Sequence, residues 1–156
     1  MGRNKYPEET VAKILDAALE LFCARGYEGT SIQDIVDRLD GMTKGAVYHH
    51  FKSKEEIFNA AFDRAMAPIV EQRRSTLGIG NMTGAQKLKR LYAPESVVPQ
   101  IELWARMHPA ADPVKSSRLL AMQYQGSFDE SADGCLLPVI EEGIADGSIV
   151  CECPRE

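Results

Sequence analysis

Apolar residues recur along this 156-residue chain at intervals of three and four positions. That spacing gives each segment one apolar stripe on a helix, whereas the alternation typical of half-buried strands is almost absent. Proline and glycine recur between the stripes, where they start and end helices. The pattern therefore predicts an all-α protein. No apolar run approaches the roughly 20 residues that a membrane span requires, so we expect no membrane partner and a cytoplasmic location.

The first third of the chain reads as three short elements. The first helix begins at Pro7, with acidic residues in its first turn, and Gly26 ends it. A second helix follows, capped by Thr30 or Ser31 and extending to Leu39. Its apolar positions fall at helical spacing, so one face is predicted to be buried.

A tight turn separates the second helix from a third. Asp40-Gly41 breaks the second helix, because glycine tolerates the left-handed backbone that a sharp turn needs. Thr43 then caps a helix from Lys44 to His50. Two short helices around a glycine-containing turn form a helix-turn-helix, whose second helix can enter the major groove of DNA. Residues 1–54 are therefore predicted to be a three-helix DNA-binding domain.

The third helix has the chemistry of a DNA-reading element. Its first residues are small or cationic, so its backbone can approach a groove floor, and its last residues are hydrogen-bond donors. Val47 and Phe51 are four positions apart and form an inward pair, which leaves Tyr48 outside. Ser53 is predicted to cap the next helix, with Glu56 placed for a capping box. The predicted DNA-binding residues are Thr30, Ser31, Thr43, Lys44, Gly45, Ala46, Tyr48, His49, His50 and Lys54.

The net charge of −5 argues at first against a nucleic-acid partner. Residues 1–54 nevertheless carry eight basic and eight acidic side chains, so the whole deficit lies in residues 55–156. Lys44, Lys52 and Lys54 stand close together, and the local field matters more for docking than the total charge. We therefore expect modest, salt-sensitive binding to DNA.

The rest of the chain reads as a connector helix and a second helical domain. The connector spans 53–74, with Pro68 predicted to kink it. Residues 75–156 form the second domain, in which helices start at Thr83, Pro94 and Asp112 and a last apolar run ends at Asp146-Gly147. In the helix that Thr83 caps, one face is predicted to be apolar and the opposite basic residues are predicted to be exposed; the apolar residues are Leu88, Leu91 and Tyr92, and the basic ones are Lys87, Lys89 and Arg90. A further helix is predicted to begin at Pro154, so this domain is expected to be incomplete at its C-terminus.

The second domain contains aromatic and sulfur-bearing residues that can line a small-molecule pocket. Such residues at helical spacing are more often plain core than a binding site, and both interpretations stay open. The predicted effector-binding residues are Trp104, Met107, His108, Met122, Tyr124 and Phe128.

Enzymatic chemistry is not indicated by the residue pattern. A small enzyme or sensor would have to use His49, His50, Cys151 or Cys153, but no nucleophile–base pair, phosphate loop or metal-spaced cluster accompanies them. We therefore predict no enzyme, no metal site and no cofactor. The four cysteines do not form a disulfide framework in a cytoplasmic chain.

The sequence of the first third closely resembles the TetR family of bacterial transcriptional regulators. The resemblance covers about residues 8 to 66, and residues 75–156 resemble the family only loosely. One departure is the turn Leu39 to Met42, which is one residue longer than the commonest spacing in the family. The matching stretches are Ala17 to Phe22, Gly26 to Ser31, Ile35, Thr43 to Phe51 and Ser53 to Glu56.

The resemblance implies a ligand-responsive repressor. Two copies would place their third helices in successive major grooves of a palindromic operator, about 34 Å apart. Thr43, Lys44 and Gly45 would read base edges, while Thr30, Tyr48, His49, His50 and Lys54 would hold phosphates. The expected partners are an operator in double-stranded DNA, an unknown small-molecule effector and a second copy of the chain. The shortened second domain puts this dimer in doubt. The alternative is a helical sensor or protein-interaction module whose helix-turn-helix does not bind DNA.

Overall fold

A computed structural model describes residues 7–107 and 132–150 of the chain. These two ranges contain helices and turns and no strand, which confirms the predicted all-α class. Within them no helix is both long and apolar enough to cross a membrane. The helices are α1 (Pro7–Arg25), α2 (Ile32–Asp37), α3 (Lys44–His50), α4 (Lys54–Leu77), α5 (Gly84–Leu91), α6 (Pro94–Met107), a π-helical turn (Ala132–Leu136) and α7 (Leu137–Ala145).

The described residues divide into two compact units. The first unit contains the chain up to Ala65 together with Leu103 to Met107, and the second contains Met66–Glu102 together with residues 132–150. Each unit has its own buried residues.

The first unit is organised around aromatic rings contributed by α1, α4 and the turn after α1. The Phe22 and Phe58 ring centroids lie 4.8 Å apart, and Tyr27 lies 5.2 Å from Phe58, both in edge-to-face geometry. Phe22 and Phe58 are fully buried. Burial of a large apolar side chain stabilises a fold by about 1.5–3 kcal/mol, so this cluster is a strong support for the α1–α4 packing.

Helix α1 ends at a left-handed glycine, as the sequence predicts. Gly26 adopts a left-handed backbone with φ of 73°, and its amide donates to the carbonyl of Phe22 at 2.8 Å. Glycine reaches this conformation without the steric cost that a Cβ imposes.

The second unit is built on a close crossing of α5 and α7. A Cβ placed on Gly84 would lie 2.2 Å from the amide nitrogen of Gly143, so the two helices approach through glycines. Beside this crossing, Leu91, Cys135 and Val139 form a buried apolar cluster.

Several sequence-based expectations for the second unit were wrong. Lys87 was predicted to be exposed, but it is 3% exposed and its Nζ lies 2.7 Å from both carboxylate oxygens of Glu142. Tyr92 was placed on the apolar face of α5, but it is 54% exposed. Helix α4 continues through Pro68 to Leu77 rather than ending near residue 74.

Some expectations fall outside the described residues. They are the helix starting at Asp112, the helix starting at Pro154, the effector candidates His108, Met122, Tyr124 and Phe128, and the cysteines Cys151 and Cys153.

Candidate nucleic-acid interface

Helix α2 is held at its start by a capping box. The Ser31 hydroxyl oxygen accepts from the Asp34 amide at 3.1 Å, and the Asp34 carboxylate accepts from the Ser31 amide at 2.7 Å. These hydrogen bonds from Ser31 are the main reason that the pKa of Asp34 is lowered. The predicted cap is confirmed, although α2 ends at Asp37 with Arg38 as its C-cap, before the predicted Leu39.

The turn between α2 and α3 forms as predicted. Gly41 is left-handed with φ of 71°, and the Met42 amide donates to the Leu39 carbonyl at 3.1 Å. Thr43 then caps α3, its Oγ1 accepting from the Ala46 amide at 3.2 Å. Because the cap uses the Thr43 oxygen as an acceptor, its hydroxyl proton stays free to donate to a ligand.

Helix α3 has a buried face and an exposed face. Val47 is fully buried and Phe51 is 6% exposed, so both anchor the helix in the first unit, as predicted. Tyr48 is 45% exposed, on the outer side with His49. The predicted DNA-binding residues with exposed side chains or backbone are Ser31, Thr43, Lys44, Gly45, Tyr48 and His49, while Ala46 and His50 are half-buried.

The basic side chains of this surface differ in whether a carboxylate neutralises them. Arg38 pairs with Glu20 at 2.6 Å, and Arg25 lies 3.5 Å from Asp34, so these arginines are partly neutralised. Within residues 7–107 and 132–150, Lys44 has no ion pair and is exposed at the start of α3. Arg38 was not predicted to contact α1, because its partner lies 18 positions away.

Thr30 lies in the interior and not on the surface. Its side chain is 2% exposed, and its hydroxyl donates to the Gly26 carbonyl at 2.9 Å. This hydroxyl therefore stabilises the turn between α1 and α2, and the predicted phosphate contact of Thr30 has no exposed side-chain atom to support it.

Lys54 is half-buried at the start of α4. Its Nζ donates to the Tyr27 carbonyl at 2.8 Å and lies 4.0 Å from the centroid of the Tyr27 ring. Burial lowers the pKa of Lys54, and the nearby carboxylate of Glu28 opposes that shift. The predicted phosphate ligand thus has partners inside the first unit.

The start of α4 follows the predicted cap only in part. The Ser53 hydroxyl accepts from the Glu56 amide at 3.1 Å, as expected. The Glu56 carboxylate accepts from the Lys52 amide at 2.6 Å, whereas a capping box would direct it to the Ser53 amide. The box was therefore wrong in its second half, because the chain leaving α3 brings the Lys52 amide within reach.

The described effector candidates lie in the first unit. The Trp104 ring is 5.5 Å from the Phe62 ring in edge-to-face geometry, and Met107 is 1% exposed. The second unit has an open cavity of about 510 Å³, which neither Trp104 nor Met107 lines. Its lining residues are Gly80, Asn81, Met82, Thr83, Glu142, Ala145 and Asp146.

Metal chemistry has no visible basis in the part of the chain that the structure describes. Among those residues, no group of three or more histidine, cysteine, aspartate or glutamate side chains is arranged to hold a metal ion.

Comparison with known proteins agrees with this geometry. Residues 14–61 match the family described as bacterial regulatory proteins, tetR family. The chain is 40% identical over 72 residues to the HTH-type transcriptional regulator SrpR of Pseudomonas putida, a match that covers 46% of this chain and 33% of that protein. It is 32% identical over 117 residues to the uncharacterized HTH-type transcriptional regulator YezE of Bacillus subtilis (strain 168), covering 65% and 59% respectively. The chain thus spans only part of these relatives.

A solved structure shows the likeness in three dimensions. The SmeT–triclosan complex superposes with a TM-score of 0.67 at 26% identity, covering 90% of this chain and 68% of that one.

Proposed function

We propose that this chain, whose residues 14–61 match the bacterial regulatory proteins of the tetR family, is a ligand-responsive transcriptional repressor of that family. The proposal rests mainly on helix α3, which has one buried face and one exposed face. Its buried Val47 and Phe51 fix the helix in the first unit, while Lys44, Gly45 and Tyr48 are exposed on the other side. A helix anchored in this way can be inserted into a major groove without unfolding its support.

The proposed contacts fall into two classes. Ser31, Thr43, Lys44, Gly45 and Ala46 lie at the starts of α2 and α3, where backbone amides and side-chain donors can approach bases and phosphates. Tyr48, His49 and His50, at the end of α3, are proposed to bind phosphate oxygens. Phosphate contacts carry no sequence information, so discrimination between operators is assigned to Thr43, Lys44 and Gly45.

The regulator is proposed to act as a homodimer on a palindromic operator. Two-fold symmetry of the protein would be mirrored in the DNA, with half-sites about one helical turn apart. Residues 1–54 would serve DNA binding, and residues 75–156 would serve effector binding and dimerisation. A bacterial regulator acts on the chromosome, so we place the protein in the cytoplasm.

The effector is proposed to be a small, largely apolar molecule. The support is the triclosan bound by the structural relative SmeT and the apolar character of the predicted residues Met122, Tyr124 and Phe128. The effector would release the operator by binding more tightly to the DNA-free state than to the DNA-bound state.

Selection from random duplexes tests the proposal. The protein is mixed with a pool of random double-stranded DNA at two salt concentrations, and the bound fraction is sequenced. We expect an enriched palindrome whose binding weakens as salt rises, because phosphate contacts release counterions. The variant Lys44→Met should enrich a palindrome whose preference is relaxed at one position of each half-site, while Lys13→Met, an exposed lysine on α1, should enrich the unaltered palindrome.

A failure of the selection would point to the alternative function. If no sequence is enriched and the protein has the mass of a dimer in solution, the helix-turn-helix does not read DNA, and a sensor or protein-interaction module remains. If the protein is monomeric, dimerisation through residues 1–156 fails instead.

A further inference from the structure

The carbonyl of Tyr27 is a shared acceptor in the turn between α1 and α2. It accepts from the Thr30 amide at 3.3 Å and from the Lys54 ammonium at 2.8 Å. Hydrogen bonds that involve a charged donor are stronger than those between neutral groups. Lys54 is therefore a substantial part of what holds this turn in place.

The ring of Tyr27 contributes a second contact to the same ammonium. The Lys54 Nζ lies 4.0 Å from the ring centroid, inside the range of a cation–π interaction. The Tyr27 ring is itself held in place, because it packs against the Phe58 ring and stacks with the Phe22 ring at a centroid distance of 6.0 Å. The ammonium therefore meets a surface fixed by the core of the first unit.

The two partners lie at opposite ends of the helix-turn-helix. Tyr27 precedes the cap of α2 at Ser31, and Lys54 follows the C-cap of α3 at Phe51. A contact between them joins the chain segment that leads into α2 to the segment that leaves α3. Because the two residues are 27 positions apart, this contact links the two ends of the helix-turn-helix.

We propose that Lys54 is a positioning residue of the helix-turn-helix, which fastens the start of α2 to the end of α3 and so sets how α3 is presented to DNA. The proposal rests on the proposed function for its DNA readout. It assigns Lys54 a role distinct from the phosphate contact expected from the sequence, because both described contacts of the ammonium are made inside the protein.

The half-buried position of Lys54 supports this role. Its side chain is partly withdrawn from water between the Tyr27 carbonyl and the Tyr27 ring, and this burial lowers the pKa of its ammonium. A lysine that serves only as a phosphate ligand has no need to be desolvated before DNA arrives. Lys52 is a natural comparison, because it lies two residues away and its side chain is exposed.

The test compares Lys54→Met with Lys52→Met in the full chain. Methionine keeps the apolar stem over the Tyr27 ring and removes the ammonium. Affinity is measured for the duplex selected by the wild-type protein and for a scrambled duplex of equal length, at several salt concentrations. For Lys54→Met we expect about a tenfold loss for the selected duplex, comparable to one weakened base contact. Binding to the scrambled duplex and the salt slope should stay as in the wild type.

Two results would overturn the proposal. If the salt slope falls by about one and both duplexes lose affinity alike, Lys54 is a phosphate ligand. If only the melting temperature falls while the folded variant binds both duplexes normally, Lys54 merely stabilises the unit.

A readout without DNA separates this proposal from the proposed function. Amide chemical shifts of residues 31–48, which lie away from both substitutions in the sequence, should move in Lys54→Met and stay in place in Lys52→Met, because of these two lysines only Lys54 joins the ends of the motif. Unmoved shifts in Lys54→Met would contradict the positioning role even if no duplex were ever selected. Moved shifts together with a failed selection by a dimeric protein would refute the proposed regulator and leave the positioning role of Lys54 supported.

Discussion

Gly45 shows how a single residue can separate the needs of the fold from those of DNA binding. It lies inside α3, where glycine costs about 0.5–1 kcal/mol relative to alanine. A Cβ at this position would meet only the Thr43 Oγ1, at 3.9 Å, which is an ordinary contact. The fold therefore does not require glycine here, whereas close approach of the helix backbone to a base pair would.

We predict that Gly45→Ala stabilises the protein and weakens operator binding. The melting temperature should rise, corresponding to about 0.5–1 kcal/mol, while affinity for the selected duplex falls because the new methyl group meets the groove. Thermal unfolding and a binding titration measure the two effects. As a control, Gly41→Ala should destabilise the fold, because Gly41 has a φ of 71°. If Gly45→Ala bound the selected duplex as tightly as the wild type, the proposed placement of α3 in the major groove would be contradicted.

Lys44 is the residue whose replacement should alter sequence preference. Its side chain is exposed and takes part in no cap, so Lys44→Met should leave the melting temperature unchanged. A repeated selection with this variant should show relaxed preference at one position of each half-site, with a loss of about 1–3 kcal/mol for the original base pair. Unaltered preference would show that bases are read elsewhere.

At the scale of elements, the α5–α7 contact depends on one charge pair with unequal burial. Lys87 has a side chain 4% exposed, whereas the side chain of Glu142 is 43% exposed. Lys87 also donates to the Leu77 carbonyl at the end of α4, at 2.9 Å. The pair joins three helices of the second unit, at the crossing where Gly84 and Gly143 meet.

We predict that the two halves of this pair are unequally sensitive to mutation. Glu142→Ala leaves a buried ammonium without its carboxylate, a change that costs about 3–5 kcal/mol for fully buried pairs. In this protein the loss in the free energy of unfolding should lie at or below the lower end of that range, because solvent screens the half-exposed carboxylate of Glu142. Lys87→Met should cost less, since the freed carboxylate can turn to water. Urea unfolding measures both, with the exposed Lys89→Met as the control. Equal losses would contradict this argument.

At the scale of the whole molecule, the described residues of each unit include a capping carboxylate whose pKa is lowered. Asp34 accepts hydrogen bonds from Ser31 in the first unit. Asp146 accepts from Ser148 and from the Gly84 amide in the second unit, where it caps α5 from a distant part of the chain. Both carboxylates are therefore stabilised in their charged form by the folded state.

The lowered pKa values predict a loss of stability in acid. A carboxyl group whose folded pKa lies below its unfolded value contributes stability that is complete above the unfolded pKa, about 3.9. That contribution disappears as the pH falls through the folded pKa. Unfolding followed by circular dichroism from pH 6 to pH 2 should show this decline. It should be shallower in Asp34→Asn and in Asp146→Asn, and an unchanged pH profile in both variants would contradict the assignment.

Local chemistry accounts for what could be predicted from the sequence. Gly26 ends α1, Thr43 caps α3 and Thr83 caps α5 at the positions expected, because a cap or a left-handed glycine acts within three or four residues. The inward pair of Val47 and Phe51 follows from helical spacing alone. The all-α class, the helix-turn-helix and the exposed side of α3 are thus determined by short-range patterns.

Only the tertiary structure decided which polar groups are buried. Lys87 meets Glu142 across 55 positions, and Lys54 meets Tyr27 across 27. Thr30 turns inward to Gly26, and the Glu56 carboxylate turns to the Lys52 amide. In the sequence, these lysines are indistinguishable from solvated ones, because helical periodicity records which face is apolar and not which distant acceptor lies opposite it. A charged side chain is buried only where such an acceptor repays its lost hydration, and that acceptor comes into place only when the helices pack.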